Sequence, residues 1–229
     1  MGQKVHPIGF RIGITKEHAS KWYAKSSDYA SVMKADDELR EKFVKFLNSL
    51  STLKQRKAET IDLSKIAISY PATSNQIYVI IYSVSPAKLK TELSRTPINI
   101  DFSKFLRDHL STRELIVKIK RLRHPYTEPG ILAQSLTKKL EKRMPFRRAI
   151  RSAMKDFKEA ARRAKLKPRE KGIKIQIAGR LNGAEIARSE WVRQGRVPLH
   201  TIQADVGYIS QRAQTIYGTL GVKIWVCKR

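Results

Sequence analysis

The residues best suited to chemistry in this 229-residue chain are its cations. Lysine and arginine together number 47 against 20 aspartate and glutamate residues, which gives a formal net charge of +27. The excess is concentrated between Lys138 and Lys174, where sixteen Lys or Arg residues accompany four acidic ones. Cations at this density favour a polyanionic partner, because each phosphate that they neutralise releases counterions. The composition therefore points to a partner rich in phosphate.

The cations over residues 145–166 recur at a helical spacing. At ~100° per residue they fall within one arc, and apolar residues fill the opposite side. We call this set the cationic face; it consists of Arg147, Arg148, Arg151, Lys155, Lys158, Arg162 and Lys165. Asp156 and Glu159 lie outside the arc, so neighbouring cations repel each other by a few tenths of a kcal/mol per pair.

The cationic face could face water, a membrane surface or nucleic acid. An idle solvated surface would need acidic residues among the cations to relieve their repulsion. A helix on a membrane surface would need a free apolar face, whereas the small alanines on the other side suit close packing against another helix. We therefore predict contact with nucleic acid and no membrane partner.

The acidic and nucleophilic residues do not form a catalytic pattern. A two-metal nuclease, the enzyme class nearest to a basic protein, needs several converging carboxylates. Glu185 and Glu190 are predicted on different faces of a helix, and His200 and Asp205 on opposite faces of a strand. The sequence also shows no P-loop, His/Cys cluster or nucleophile elbow. We predict no catalytic site, no metal and no cofactor.

The spacing of apolar residues predicts an α+β fold with two α+β units joined by basic helices. In the first unit the predicted order is helix, strand, strand, helix, helix, strand. These elements cover residues 36–53, 61–70, 75–84, 86–93, 101–110 and 113–123. Asp36 and Asp37 are interpreted as the start of the first helix.

The rest of the chain is predicted to contain basic helices and then a second sheet. One helix covers 129–143, and Pro145 opens the next at a position that tolerates proline. Strands are predicted over 172–180, 200–208 and 221–229, with a short helix or turn over 184–195. The division that follows is 1–60 (basic tail and helix), 61–123 (first α+β domain), 124–171 (basic helical segment) and 172–229 (second α+β domain).

Cations outside the basic helix are further candidates for RNA contact. Lys4, His6 and Arg11 lie in a glycine-bearing tail, predicted to be a flexible arm that lies along RNA, although plain disorder explains the same composition. Arg180 and Arg196 have no acidic residue at pairing distance in the sequence and are also predicted to bind RNA.

Other residues of the last segment have structural interpretations. Arg188 and Arg193 each follow a glutamate by three positions, so internal ion pairs account for them. Trp191 and Trp225 are interpreted as core residues and not as platforms for base stacking. Cys227, the single cysteine, is interpreted as a buried strand residue.

Long segments at both ends and in the centre resemble one known family. They are "MGQKVHPIGFRIGI", "PFRRAIRSAM", "KGIKIQIAGRLNGAEIARSEWVRQGRVPLHTIQADVGY" and "TIYGTLGVKIWV". They look like protein three of the small ribosomal subunit, in its bacterial and plastid form. The resemblance implies a component of the head of the subunit that binds rRNA beside the mRNA entry channel, with small-subunit proteins ten and fourteen as neighbours.

The resemblance also implies roles for particular cations. Arg147, Arg148 and Arg151 match the positions at which bacterial relatives line the entry channel and help to unwind structured mRNA. Guanidinium groups in a fixed row can hold phosphates without reading bases. The remaining cations of the helix that we predict to contact rRNA are Lys155, Lys158 and Arg162.

A type II KH domain over 61–123 is a further implication of the resemblance. Such domains clamp four nucleotides with a GxxG loop. No glycine lies between Gly13 and Gly130, so this loop cannot form and the backbone cannot approach phosphates closely. We expect a degenerate, mainly structural KH-like domain in which Lys88 and Lys90 are at best weak phosphate contacts.

The function predicted from the sequence is that of a structural constituent of the small ribosomal subunit. The altered KH loop and the early end of the chain favour a plastid source, in the chloroplast stroma, over a bacterial cytoplasm. The alternative function is a free-standing RNA chaperone or translational regulator that uses the same basic helix.

Overall fold

A computed structural model describes residues 3–52, 63–71, 76–87, 89–90, 114–165 and 172–228. They form two compact units, which we call the small unit (residues 18–123) and the large unit (residues 1–17 with 124–229). The first 17 residues and the basic helical segment thus belong to the same unit as the C-terminal sheet. The four segments predicted from the sequence are grouped here into two.

The small unit contains helix α1 and a four-stranded sheet of order β1-β2-β3-β4. Their bounds are Ser20–Lys21 (β1), Tyr29–Thr52 (α1), Leu63–Ser69 (β2), Gln76–Ser83 (β3) and Glu114–Arg121 (β4). Strands β2 and β3 pair antiparallel, and β4 pairs parallel to β3. The predicted helix over 101–110 and Lys88 lie outside the described residues.

Helix α1 begins seven residues before the predicted start. The N–H of Val32 donates to the carbonyl of Asp28 at 3.1 Å. Asp36 is inside the helix and only 7% exposed, where it accepts hydrogen bonds from Ser20 Oγ at 2.6 Å and Arg40 Nη2 at 3.2 Å. Its carboxylate therefore connects α1 to β1, and its interpretation as a helix start was wrong.

The large unit contains two helices and a fully antiparallel sheet of order β6-β5-β8-β7. Their bounds are Pro129–Glu141 (α2), Phe146–Arg163 (α3), Gly172–Gly179 (β5), Arg188–Gly195 (β6), Val206–Thr215 (β7) and Gly218–Cys227 (β8). The prediction of α2, α3 and β5 is confirmed. The helix or turn predicted over 184–195 was wrong. Residues 188–195 of this segment form strand β6, which pairs with β5 over the full length of β5.

The sheet of the large unit has two different faces, because successive side chains of a strand point to opposite sides. Ile173, Ile175 and Ile177 of β5 lie on one face, within a core that includes the buried sides of α2 and α3. Lys174 and Gln176 lie on the other face. The helices therefore cover only one side of this sheet.

The tail is part of the folded large unit. Residues Gly9–Arg11 form a 3₁₀ turn, and the ring of His6 packs edge-on against Tyr208 at 5.0 Å. Lys16 forms an ion pair with Asp205. The prediction of a flexible arm was wrong. The residues that hold the tail, Tyr208 and Asp205, lie far from it in the sequence, so no local pattern shows these contacts.

Candidate nucleic-acid interface

Helix α3 has the two sides that its sequence predicts. Its apolar residues are buried against the core; they are Phe146, Ala149, Ile150, Ala153, Phe157, Ala160 and Ala161. All the members of the cationic face are exposed. Lys165 lies two residues beyond the end of α3, in a left-handed conformation with φ of 52°. The other six cations lie on the helix itself.

The start of α3 is held by a turn of the C-terminal segment. Pro145 is the N-cap residue. Its ψ of 130° is extended and not helical, so the helix begins at the next residue, Phe146. The N–H of Phe146 donates to Asn182 Oδ1 at 3.3 Å, and Asn182 has a left-handed backbone with φ of 54°. Asparagine tolerates this conformation better than most residues. The turn over Leu181–Gly183 therefore fixes where the helix begins.

The first turn of α3 concentrates positive charge where a helix least favours it. The N-terminus carries the positive end of the helix dipole, so acidic residues are stabilising there and cations are not. The first turn of α3 has no acidic residue, and Arg147 and Arg148 occupy it. An anion at this end would be stabilised by the helix dipole as well as by the guanidinium groups.

The acidic residues near α3 are mainly engaged by other cations. Asp156 accepts from Lys139 of α2 at 3.2 Å, and Lys139 also donates to Ser152 at 2.8 Å. Glu190 of β6 lies 3.5 Å from Arg188 and 3.6 Å from Arg147. Ion pairs that water still reaches, as it reaches these, contribute ~1 kcal/mol or less. The cationic face thus keeps most of its charge uncompensated within the described residues.

The ion pair expected between Glu190 and Arg193 was based on helical spacing. In strand β6 residues two apart share a face. Glu190 accordingly pairs with Arg188 and reaches across to Arg147. Arg193 lies on the other face of the sheet, opposite Lys174 of β5.

Arg11 has a structural role that its sequence context did not indicate. Its side chain is fully buried, at 0% exposure. The guanidinium donates to five backbone carbonyls at 2.8–3.0 Å: those of Pro7, Pro198, Leu199, Thr201 and Ala204. Burial lowers its pKa, an effect that Cys227 and Asp205 partly oppose. Direct contact of Arg11 with rRNA was therefore a wrong expectation, because phosphate cannot reach a guanidinium that is fully buried against backbone carbonyls.

The other predicted cations of the large unit are accessible. Lys4 and His6 are exposed. Arg180 is exposed, although Nε donates to the carbonyl of Ala184 at 2.9 Å. Arg196 is exposed beside an open groove that it lines together with Arg193 and His200. Each of these side chains is placed where RNA can contact it.

The two tryptophans of the large unit have different environments. Trp225 is 5% exposed, which confirms its interpretation as a core residue, and Cys227 is buried in the same strand. Trp191 is 59% exposed, so its assignment to the core was wrong. The ammonium of Lys174 lies 5.0 Å from the ring centroid of Trp191 and 5.1 Å from that of Trp225. Trp191 is exposed because β6 is an edge strand and the helices cover the other side of the sheet.

The cationic face and its sheet lie within a known domain. A family model described as "Ribosomal protein S3, C-terminal domain" matches residues 136–226. The small ribosomal subunit protein uS3c of Tupiella akineta is 42% identical over 238 residues, with 100% of this chain and 98% of the relative covered. The protein of the same name from Ostreococcus tauri is 41% identical over 233 residues, with 100% and 98% covered. This chain belongs to the uS3 family.

The uS3 relatives include bacterial ones. The small ribosomal subunit protein uS3 of the cyanobacterium Picosynechococcus sp. is 40% identical over 231 residues, which cover 100% of this chain and 86% of the relative. The similarity to plastid and cyanobacterial proteins confirms the predicted membership of the bacterial and plastid type of uS3. Within the described residues, no helix is long and apolar enough to span a bilayer.

Proposed function

We propose that this uS3 chain is a structural constituent of the small ribosomal subunit of a plastid, where it binds rRNA and places the cationic face of α3 along the mRNA entry channel. The observation that carries this proposal is the row of exposed cations on α3, which local acidic residues leave largely uncompensated. Family membership supports the ribosomal setting.

The geometry of α3 suits a moving RNA strand. Its buried side packs into the core, so the exposed guanidinium groups of Arg147, Arg148 and Arg151 are presented from a rigid element. Phosphate contacts of this kind hold a strand without reading its sequence. Such a row can keep mRNA single-stranded as it passes, by binding phosphates and without any nucleotide hydrolysis.

The contacts with rRNA involve a larger set of accessible cations. We propose Lys155, Lys158 and Arg162 on α3, together with Lys4, His6, Arg180 and Arg196. In the small unit, the pairing of β2, β3 and β4 is compatible with a type II KH domain, which we propose to be mainly structural. The neighbours proposed for the chain are small-subunit proteins ten and fourteen.

A double substitution tests the channel role. Arg147→Ala with Arg148→Ala removes two exposed cations that contribute nothing to the core, so circular dichroism should show that the fold is retained. We expect severalfold slower translation of messages with a stable hairpin, and an unchanged rate for unstructured messages. A matched control is Lys142→Ala with Arg163→Ala, which removes two exposed cations outside the cationic face. Equal rates for the double variant and the wild type on hairpin messages would contradict the channel role.

Sedimentation tests the ribosomal setting independently. The chain should remain with small subunits through a wash at moderate salt, because many phosphate contacts act together. Recovery of most of the protein away from the subunits would support the free-standing RNA chaperone instead.

A further inference from the structure

On the side of the large unit's sheet that the helices leave uncovered, Val206, Trp225 and Cys227 are buried in a small apolar cluster with Val197 and Ala204, and the rest of this face is polar and cationic. We call its accessible part the open sheet face; its side chains are Lys174, Gln176, Ser189, Trp191, Arg193, Ser210, Arg212 and Lys223. The strand register places them on one side, since Lys174 is opposite Arg193, Gln176 is opposite Trp191, and Ser210 is opposite Lys223. None of the side chains that β5, β6, β7 and β8 place on this side is acidic.

Trp191 is the unusual member of the open sheet face. Its indole is 59% exposed, so a large apolar area remains in contact with water. Burial of this area against a partner would be favourable. The ring is flanked by the ammonium of Lys174 at 5.0 Å, while Gln176 Nε2 donates to Ser189 Oγ at 2.8 Å beside it. The result is an accessible aromatic plane with a cation on one side and hydrogen-bonding groups next to it.

The cations around Trp191 repel one another. Partial burial lowers the pKa of Lys174, and the charges of Lys4 and Arg193 lower it further. Lys4 comes from the tail, which packs on the same side of the sheet through His6 and Tyr208. Three cations from three segments thus converge beside one exposed indole. A phosphate bound among them would relieve the repulsion that the free protein bears.

We infer that the open sheet face binds a single-stranded RNA segment, with one unpaired base stacked on Trp191 and the adjoining phosphates held by Lys174, Arg193 and Lys4. Aromatic platforms with adjacent cations bind unpaired nucleotides, because every base has a π face and every linkage a phosphate. A duplex cannot use the indole in this way, since its bases stay stacked within the helix. An acidic protein would use the same cations, so polyglutamate serves as the competing ligand in the binding test.

This site is separate from the cationic face of α3. Arg147 reaches Glu190, which lies on the helix-covered side of the sheet, whereas Trp191 is the next residue and lies on the other side. Two RNA segments can therefore be bound on opposite sides of one sheet. The inference rests on the proposed RNA-binding function and adds a second site, which recognises unpaired bases.

Direct binding measurements test the site. The full chain is titrated into a labelled single-stranded ribo-oligonucleotide and into a duplex of the same length, with fluorescence anisotropy as the readout. Trp191→Leu should weaken single-strand binding roughly 5-fold to 150-fold, the range for loss of one stacked base, and change duplex binding less than about twofold. Trp191→Phe should retain most of the affinity. Tyr217→Ala, which removes another exposed aromatic ring of the large unit, is the matched control and should have no effect.

A second variant tests the phosphate contact. Lys174→Gln should reduce the slope of log K against log salt for the single strand by about 0.7, the value for one phosphate contact. Circular dichroism of each variant should show that the fold is retained.

Each result has a defined meaning. Unchanged single-strand affinity of Trp191→Leu, or an equal loss for duplex and single strand, overturns the stacking site and leaves the proposed function intact. Binding of polyglutamate that depends on Trp191 to the same degree as RNA binding shows a surface for acidic proteins and also overturns it. If the wild-type chain binds neither RNA at low salt, the proposed function and this inference both fail.

Discussion

Replacement of Arg11 by methionine should destabilise the large unit strongly. Its guanidinium is fully buried and donates to five carbonyls, four of them in the segment 198–204. Hydrogen bonds from a charged donor contribute ~1.5–3 kcal/mol each. The five contributions do not add, because three of these bonds share Nη2 and burial of the charge itself costs several kcal/mol.

The net effect of the substitution can be bounded from these opposing terms. A buried carbonyl that loses its donor typically costs ~1–3 kcal/mol, and removal of the buried charge offsets part of this loss. Domains of this size have total stabilities of ~5–15 kcal/mol. Arg11→Met should therefore lower the urea midpoint of the large unit substantially. Arg11→Lys should lie between methionine and the wild type, because an ammonium has three donors and lacks the planar geometry of guanidinium.

The assay combines urea unfolding with hydrogen exchange. Exchange measured by mass spectrometry should increase in peptides that cover residues 3–17 and 197–205, and not in peptides of the small unit. Arg180→Met is the matched control, because Arg180 also donates to backbone carbonyls but is exposed. Its cost should be below ~1 kcal/mol. A loss of less than ~0.5 kcal/mol for Arg11→Met, within the range of an ordinary surface substitution, would refute the assignment of a structural role.

Three further substitutions in the large unit test local features. Gly172→Ala should cost ~1–3 kcal/mol in urea unfolding, because the added Cβ would lie 1.8 Å from the carbonyl oxygen of Arg196. Gly221→Ala is the control and should cost far less, because its Cβ would lie 3.9 Å from the nearest atom, the carbonyl oxygen of Ala178. Asn182→Gly keeps the left-handed backbone but removes the hydrogen bond that the N–H of Phe146 donates to Asn182 Oδ1, and the expected loss of ~1 kcal/mol can be measured by thermal unfolding. The folded-state pKa of Lys174 is lowered from 10.5, so just below pH 10.5 the unfolded chain binds more protons than the folded one. The wild type should therefore gain stability relative to Lys174→Met as pH rises through this window. A stability difference that is constant with pH would contradict this sign.

Local sequence patterns predicted the elements that depend on local periodicity. The alternation of isoleucines gave β5, and the helical spacing of cations and alanines gave both sides of α3. These features depend on residues within one or two turns or along one strand. The position of the cationic face was accessible from sequence for the same reason.

The features that were missed depend on contacts between distant segments. Residues 188–195 carry charges at a spacing that also fits a helix, and only pairing with β5 makes them a strand. Arg11 is buried by carbonyls 187 to 193 residues away, apart from that of Pro7. Trp191 is exposed because of its position on an edge strand, and hydrophobicity alone places a tryptophan in the core.

The salt dependence of RNA binding tests the central claim most directly. The affinity of the full chain for RNA is measured over a range of salt concentrations, for the wild type and for a variant that combines Arg147→Gln, Arg148→Gln and Arg151→Gln. If the cationic face holds phosphates, the slope of log K against log salt should become shallower by about 2–3, since each phosphate contact contributes about 0.7–0.9. An unchanged slope and affinity would show that these arginines do not bind RNA and would contradict the account.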